Sequence, residues 1–244
     1  MQSLFAKQML TAEGWRQDVR VDIENGVIAA ITPAAVGAAQ YDLLLAGMPN
    51  VHSHAFQWAM GGLTEHRSNS SNDNFWSWRE VMYRFLERLT PEHIEIIARG
   101  FYIELLKSGY TAIGEFHYLH NDAAGNPYDN PAELSERIIA AAADSGVHLT
   151  LLPVLYQTSN FGGVPAVTGQ RRFLHKTDAF LKLHDHLSRY TPSIILGTAP
   201  HSLRAVPPEA LAEVVKLSGP MHIHAAEQTK EVDDCIAWSG KRPV

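Results

Sequence analysis

Two histidines separated by one residue, His52 and His54 in Pro49-Asn50-Val51-His52-Ser53-His54, follow the apolar run Leu43-Leu44-Leu45-Ala46, which reads as a buried strand. Side chains two apart on a strand point the same way, so both imidazoles could converge on one metal ion. The device recurs in Met221-His222-Ile223-His224-Ala225-Ala226-Glu227, where a carboxylate follows His224 by three residues. Neutral imidazole is a good zinc ligand, and a nearby carboxylate can move protons for water that a metal activates. One His-x-His pair carries little weight. Two of them, each at the C-terminal end of a predicted parallel strand and one followed by Glu, read as a metal site.

The elements that must position these groups fall into two patterns. Residues 4 to about 40 read as short strands and turns: Leu4–Leu10, Gln17–Ile23 with alternation at Val19, Val21 and Ile23, and Val27–Ile31. The Asn25-Gly26 pair between alternating runs is a hairpin signal. From Leu43 onward strand and helix alternate, which implies a parallel sheet. Strands are expected at about 43–49, 110–117, 148–156, 193–199 and 219–224, and helices at about 75–88, 91–107, 131–144, 173–189, 207–217 and 228–238. Thr90-Pro91 and Pro207-Pro208 each suit a helix start.

The loops are asymmetric. Helix-to-strand connections are short, as at Ser108-Gly109 and Ser145-Gly146, whereas the strand-to-helix segments 55–74, 118–130 and 157–172 are long and rich in Gly, Asn and Pro. An α/β barrel builds its site from loops at strand C-termini. His52, His54, His201, His224 and Glu227 all fall there, and the polar run Ser68–Asn74 reads either as a lid or as a plain solvated loop.

Bulk properties narrow the function classes. A chain of 244 residues with 45% hydrophobic content suffices for a packed core. A net charge of −6 without a long basic run argues against a nucleic-acid surface, and no 18-residue apolar stretch suggests a membrane span. Cys235 is the only cysteine, so disulfides within the chain and thiolate clusters are excluded and a cytoplasmic location is expected.

These features together resemble the amidohydrolase superfamily and, within it, the formimidoylglutamate deiminases. The words that carry the resemblance are His52-Ser53-His54-Ala55-Phe56-Gln57, Phe75-Trp76-Ser77-Trp78-Arg79-Glu80, Gly114-Glu115-Phe116-His117-Tyr118, Ala199-Pro200-His201-Ser202-Leu203-Arg204 and His222-Ile223-His224-Ala225-Ala226-Glu227-Gln228. The resemblance implies an α/β fold, a metal-dependent hydrolase (β/α)8 barrel of TIM type from residue 43 to 244, preceded over residues 1–42 by part of a small β-sandwich. It implies one Zn2+ held by His52, His54 and His224, with Glu227 as the catalytic acid/base. Substrate contacts are implied for Gln57, Arg79, Tyr118, His201 and Arg204, and the substrate is the small dicarboxylate N-formimino-L-glutamate, whose carboxylates suit bidentate guanidinium. A homodimer at full length is also implied.

Strand four, Ser193–Thr198, contains no lysine to bridge two metals, which favours a single-metal site. The family's site also draws a histidine from after strand six and an aspartate from after strand eight. The chain therefore reads as a barrel truncated after about five βα units, inactive by itself. Two other readings stay open: a deaminase acting on a guanine- or adenosine-type substrate, and a non-catalytic fragment. His222 reads as a hydrogen-bonded barrel histidine, and His120, His175, His184 and His186 as surface residues. Phe75, Trp76, Trp78 and Tyr83 read as core aromatics, with a wall over the substrate as the alternative.

Overall fold

The computed structural model describes residues 2–64 and 74–244, so the candidate lid residues 68–73 lie outside the described residues. The chain divides into two compact units, Met1–Met48 and Pro49–Val244.

In the first unit, β1 (Gln2–Thr11) pairs antiparallel with β2 (Gly14–Glu24), and β2 with β3 (Val27–Pro33). Asn25 and Gly26 adopt φ of 51° and 78°, the left-handed pair that a tight hairpin turn requires. The alternation of β2 buries Val19 and Val21 against Met9, with Ile23, Ile31 and Leu44 around them. A fourth strand, β4 (Tyr41–Leu44), pairs parallel with β1 and gives a single sheet ordered β3-β2-β1-β4.

That strand corrects the expectation for 43–49. Leu43 and Leu45 are 47% and 53% exposed and are not part of a barrel strand. The apolar run was read by composition, but only Leu44 faces the small cluster, and the sheet partner is β1. By packing, the two compact units divide between Met48 and Pro49.

The second unit begins with β5 (Met48–Ser53), followed by a 3-10 turn at Ala55–Met60, α1 (Phe75–Leu86), α2 (Pro91–Lys107) and β6 (Tyr110–His117). Next come α3 (Glu133–Ser145), β7 (His148–Leu155), the small hairpin β8 (Thr158–Asn160) and β9 (Val164–Pro165), and α4 (Thr177–Leu187). Two short strands, β10 (Ile195–Leu196) and β11 (Ala199–Pro200), precede α5 (Pro208–Val214) and α6 (Thr229–Ser239). The sheet runs β10-β7-β6-β5, with β11 also on β7, and the β6–β7, β7–β10 and β7–β11 pairings are parallel.

Local chemistry sets the helix starts. Asn74 accepts from the Trp76 and Ser77 amides at the head of α1, and Thr90 accepts from His93 while His93 Nδ1 takes the Thr90 amide at the head of α2. The helix expected at 173–189 begins only at Thr177, after an extended Lys176, and ends in a 3-10 turn at Ser188–Tyr190; a further 3-10 turn at Thr168–Phe173 precedes it. A continuous core links α1, α2, α3, β6 and β7 through Leu86, Ile94, Tyr102, Phe116, Ile138 and Leu151. Among the described residues no helix is long and apolar enough to cross a membrane.

The strand expected at 193–199 is interrupted, and that expected at 219–224 is held by a few bonds. Thr198 N donates to Pro220 O at 2.9 Å, His222 N to Thr198 O at 3.1 Å and His224 N to His201 O at 2.9 Å. Gly197 is the reason this fits, since a Cβ there would collide with the Pro220 carbonyl and the Leu152 side chain. Gly114 plays the same part on the other side: its missing Cβ would sit 2.5 Å from Val51 O. Both histidine pairs thus lie where backbones approach without an intervening side chain.

Candidate metal centre and substrate pocket

His52 lies within β5 and His54 heads the following 3-10 turn, and both project to the face of the sheet that carries Phe116 and Tyr118. Phe116 forms a floor, with ring centroids 5.1, 5.2 and 4.3 Å from His52, His54 and His224. One ring nitrogen from each of these three histidines lies within 4.8 Å of the others. His52 Nε2 is 3.0 Å from His224 Nε2, and His54 Nδ1 is 3.0 Å from Phe116 O, which orients that ring.

Burial determines the protonation of the trio. It holds His52 below the usual imidazole range, assisted by His222, and takes His54 down to about 4. It takes His224 to about 3, with His54 and His52 adding to the effect. All three are therefore neutral near pH 7, the form that ligates a metal. The buried Nδ1 of His224 has no partner among the described residues. Such a donor set fits a divalent cation. His222 stacks on His52 with rings 5.5 Å apart and places its Nδ1 3.3 Å from His52 Nδ1, so it supports a ligand from behind.

Beside this centre, His54 and His224 line a pocket of about 50 Å³ together with Gln57, Arg79, Tyr118, His201, Arg204 and Glu227. The structure thus brings together every residue singled out from the sequence except His52, which joins through the trio and is itself exposed. Gln57 Nε2 donates to Tyr118 Oη at 2.8 Å. Burial raises the Tyr118 phenol far above its ordinary range, so it stays protonated. His201 is driven well below the usual imidazole range by burial and then by Arg204, and its Nδ1 lies 3.1 Å from Ser202 Oγ.

Arg204 is 11% exposed and reaches Tyr156 Oη at 3.2 Å and Glu227 Oε2 at 3.4 Å. Arg79 lies over Trp76 at 4.5 Å and Tyr83 at 5.6 Å, and no carboxylate pairs with it among the described residues. A second cavity of about 280 Å³ shares Phe75, Arg79, Arg204 and Glu227 with the first and adds Gln228, Lys230 and Glu231.

Several lining residues carried no site assignment from the sequence. Tyr156 directly follows β7 and contacts Arg204, the His201 ring at 4.7 Å and Gln170 Nε2 at 2.6 Å. Its strand-end position was the available signal. Phe75, Trp78 and Tyr83 line the pocket, and Trp78 and Tyr83 also pack against the core, so for those two both readings of the α1 aromatics hold. Trp76 is 40% exposed. The surface reading of His120 and His184 is likewise corrected: both are buried, His120 bonded to Val154 O and His184 on the inner face of α4 beside Phe180 and Leu187. His175 and His186 are half-buried, the latter 3.0 Å from Glu136.

Residues 43–243 match the model of the amidohydrolase family, and residues 1–41 match the N-terminal domain of formimidoylglutamate deiminase. The chain belongs to the amidohydrolase family. It is 52% identical over 253 aligned residues to formimidoylglutamate deiminase of Pseudomonas aeruginosa, covering 100% of this chain and 56% of that protein. A crystal structure of an amidohydrolase from Brucella melitensis superposes with a TM-score of 0.92 at 48% identity, over 100% of this chain and 56% of that one. A zinc-bound adenosine deaminase from Xanthomonas campestris, 20% identical, shares the fold with a TM-score of 0.71 over 99% of this chain and 53% of its own. This amidohydrolase chain therefore spans a little over half the length of the relatives it matches.

Proposed function

We propose that this chain carries the metal-ligand and substrate-binding part of a zinc-dependent deiminase that hydrolyses N-formimino-L-glutamate to N-formyl-L-glutamate and ammonia. The observation that carries the reading is the neutral trio His52, His54 and His224 opening onto a pocket with two guanidinium groups, Arg79 and Arg204. Similarity to the Pseudomonas aeruginosa deiminase supports the substrate.

His52, His54 and His224 would hold the zinc ion, which when bound supplies Lewis-acid activation of water. Arg204 and Arg79 each bind a carboxylate of the substrate, fixing the formimino carbon near the trio. Gln57, held by Tyr118, and His201 complete the polar wall. Glu227 carries one proton from the attacking water to the imino nitrogen and then the second, from the resulting hydroxyl, to the same nitrogen, so the C=N bond is replaced by C=O and ammonia leaves with both water protons. Arg204, already beside Glu227, keeps that carboxylate oriented.

The finer fold reading belongs to the same proposal: a (β/α)8 barrel to which these residues contribute about five βα units, with residues 1–42 as part of a β-sandwich. Apolar exposure at both margins of the sheet supports it, namely Val51 at 67% on β5 and Met221 at 50% and Ile223 at 39% beyond β11. A cytoplasmic homodimer is the accompanying expectation.

The test uses a chain of the relatives' full length. Zinc stoichiometry and ammonia release from formiminoglutamate would be measured for the parent and for His224→Ala. Loss of both in the variant supports the reading. Ammonia release from guanine or an adenosine derivative in preference to formiminoglutamate would replace the substrate, with Phe75, Trp78 and Tyr83 as the stacking surface.

A further inference from the structure

A buried carboxyl lies on the opposite face of the sheet from the histidines. Residues alternate along β5 and β6, so His52, His54, Phe116 and Tyr118 share the site face while Ser53 and Glu115 project behind it. Glu115 is 1% exposed, and among the described residues no Lys, Arg or His pairs with it. Its Oε2 accepts from Ser53 Oγ at 2.5 Å and its Oε1 from Ala55 N at 2.7 Å, with the buried phenol of Tyr102 on α2 beside it. Those two donors bracket His54: Ser53 separates the two histidines and Ala55 follows the second.

We propose that Glu115 is a positioning residue that clamps the His52-Ser53-His54 turn from behind, fixing both imidazoles toward the metal. Burying a carboxylate without a cation costs several kcal/mol unless hydrogen bonds offset it, so a core built for stability alone would hold an apolar side chain here. What the carboxyl supplies is two acceptors, spaced to take one side-chain and one backbone donor from a single turn. Burial lifts its titration to about 7, and the clamp does not depend on charge, since a neutral carboxyl still accepts from Ala55 and contacts Ser53. Groups behind metal ligands typically contribute about 10–100-fold to metal affinity. The inference rests on the metal reading given above.

The test is competitive zinc titration, with the visible spectrum of the cobalt form, on full-length parent, Glu115→Ala, Glu115→Gln, Ser53→Ala and His224→Ala. Glu115→Ala is expected to weaken zinc by about 10–100-fold and to alter the cobalt spectrum. Glu115→Gln should restore affinity to within about threefold, because its amide oxygen accepts from Ala55 and its nitrogen donates to Ser53. Ser53→Ala, which removes one arm, should fall between. Should Glu115→Ala fail to fold, the other two variants decide: unchanged zinc affinity and spectrum in Ser53→Ala, or failure of Glu115→Gln to bind zinc, overturns the clamp. Zinc uptake insensitive to His224→Ala overturns the metal reading and the clamp together. Uptake lost with His224→Ala but untouched by Ser53→Ala and Glu115→Ala overturns the clamp alone.

Discussion

Replacing Arg204 with lysine tests the substrate assignment most directly, because it keeps the charge and removes the fork. The guanidinium serves two directions, Nη1 toward Tyr156 at 3.2 Å and Nη2 toward Glu227 at 3.4 Å. Lysine presents one compact ammonium on a flexible four-carbon stem, so a substrate carboxylate gripped through two N–H groups would keep one. One charge-assisted hydrogen bond contributes about 1.5–3 kcal/mol. With each 1.36 kcal/mol worth tenfold, kcat/KM for formiminoglutamate should fall roughly 10–150-fold in Arg204→Lys. Zinc content should stay at the parental level, because Arg204 contacts none of the three histidines through a hydrogen bond. Steady-state ammonia release and metal analysis on the same full-length preparations decide the matter. A loss smaller than threefold, or zinc lost in proportion to activity, would refute the reasoning and make Arg204 a structural partner of Tyr156.

Other perturbations give further expectations. Tyr118→Phe removes the 2.8 Å partner of the partly buried Gln57 Nε2, a cost of about 1 kcal/mol; KM should rise while the fold persists, as circular dichroism and kinetics together would show. Gly197→Ala drives a Cβ into the Pro220 carbonyl, so it should destabilise the protein by about 1–3 kcal/mol in denaturant melts and weaken zinc by displacing His224. For Glu115, the folded pKa of about 7 stands above its ordinary 4.5, so between these values the folded state keeps a proton that the unfolded state has released. Stability from this group is full below about pH 4.5 and is lost as pH rises through 7, a few kcal/mol in all. Glu115→Gln cannot titrate, so its stability relative to the metal-free parent should climb across that window; a constant difference would show that Glu115 titrates normally.

The chemistry-bearing residues were legible in the sequence because histidine and arginine are scarce and their neighbours were informative. His52, His54 and His224 were grouped by the strand-end rule and Arg79 and Arg204 by the family resemblance, while β6 and α2 were readable to the residue from an apolar strand and a Thr-Pro start. What was not legible depended on partners far along the chain. Leu43–Leu45 has the composition of a core strand, yet Leu43 and Leu45 face outward, because the sheet it joins belongs to the first unit. His120 and His184 read as surface by residue type, and only the packing of β7 and α4 buries them. Glu115 sat in plain view inside a recognised word, but its partners Ser53 and Ala55 are 62 and 60 residues away.

The three imidazoles are distributed very unevenly along the chain, with 172 residues separating His52 from His224. At a synthesis rate of about 5–20 residues per second, the first two emerge from the ribosome roughly 10–30 s before the third. For that interval the nascent chain offers only two of the three histidines, and the segment that carries His224, which approaches across Gly197, does not yet exist. On the metal reading proposed above, the third ligand would join only once residues 219–224 have docked on Thr198 and His201. An ion that needs all three imidazoles would then inspect finished tertiary structure, and a chain with misdocked strands would be left without one.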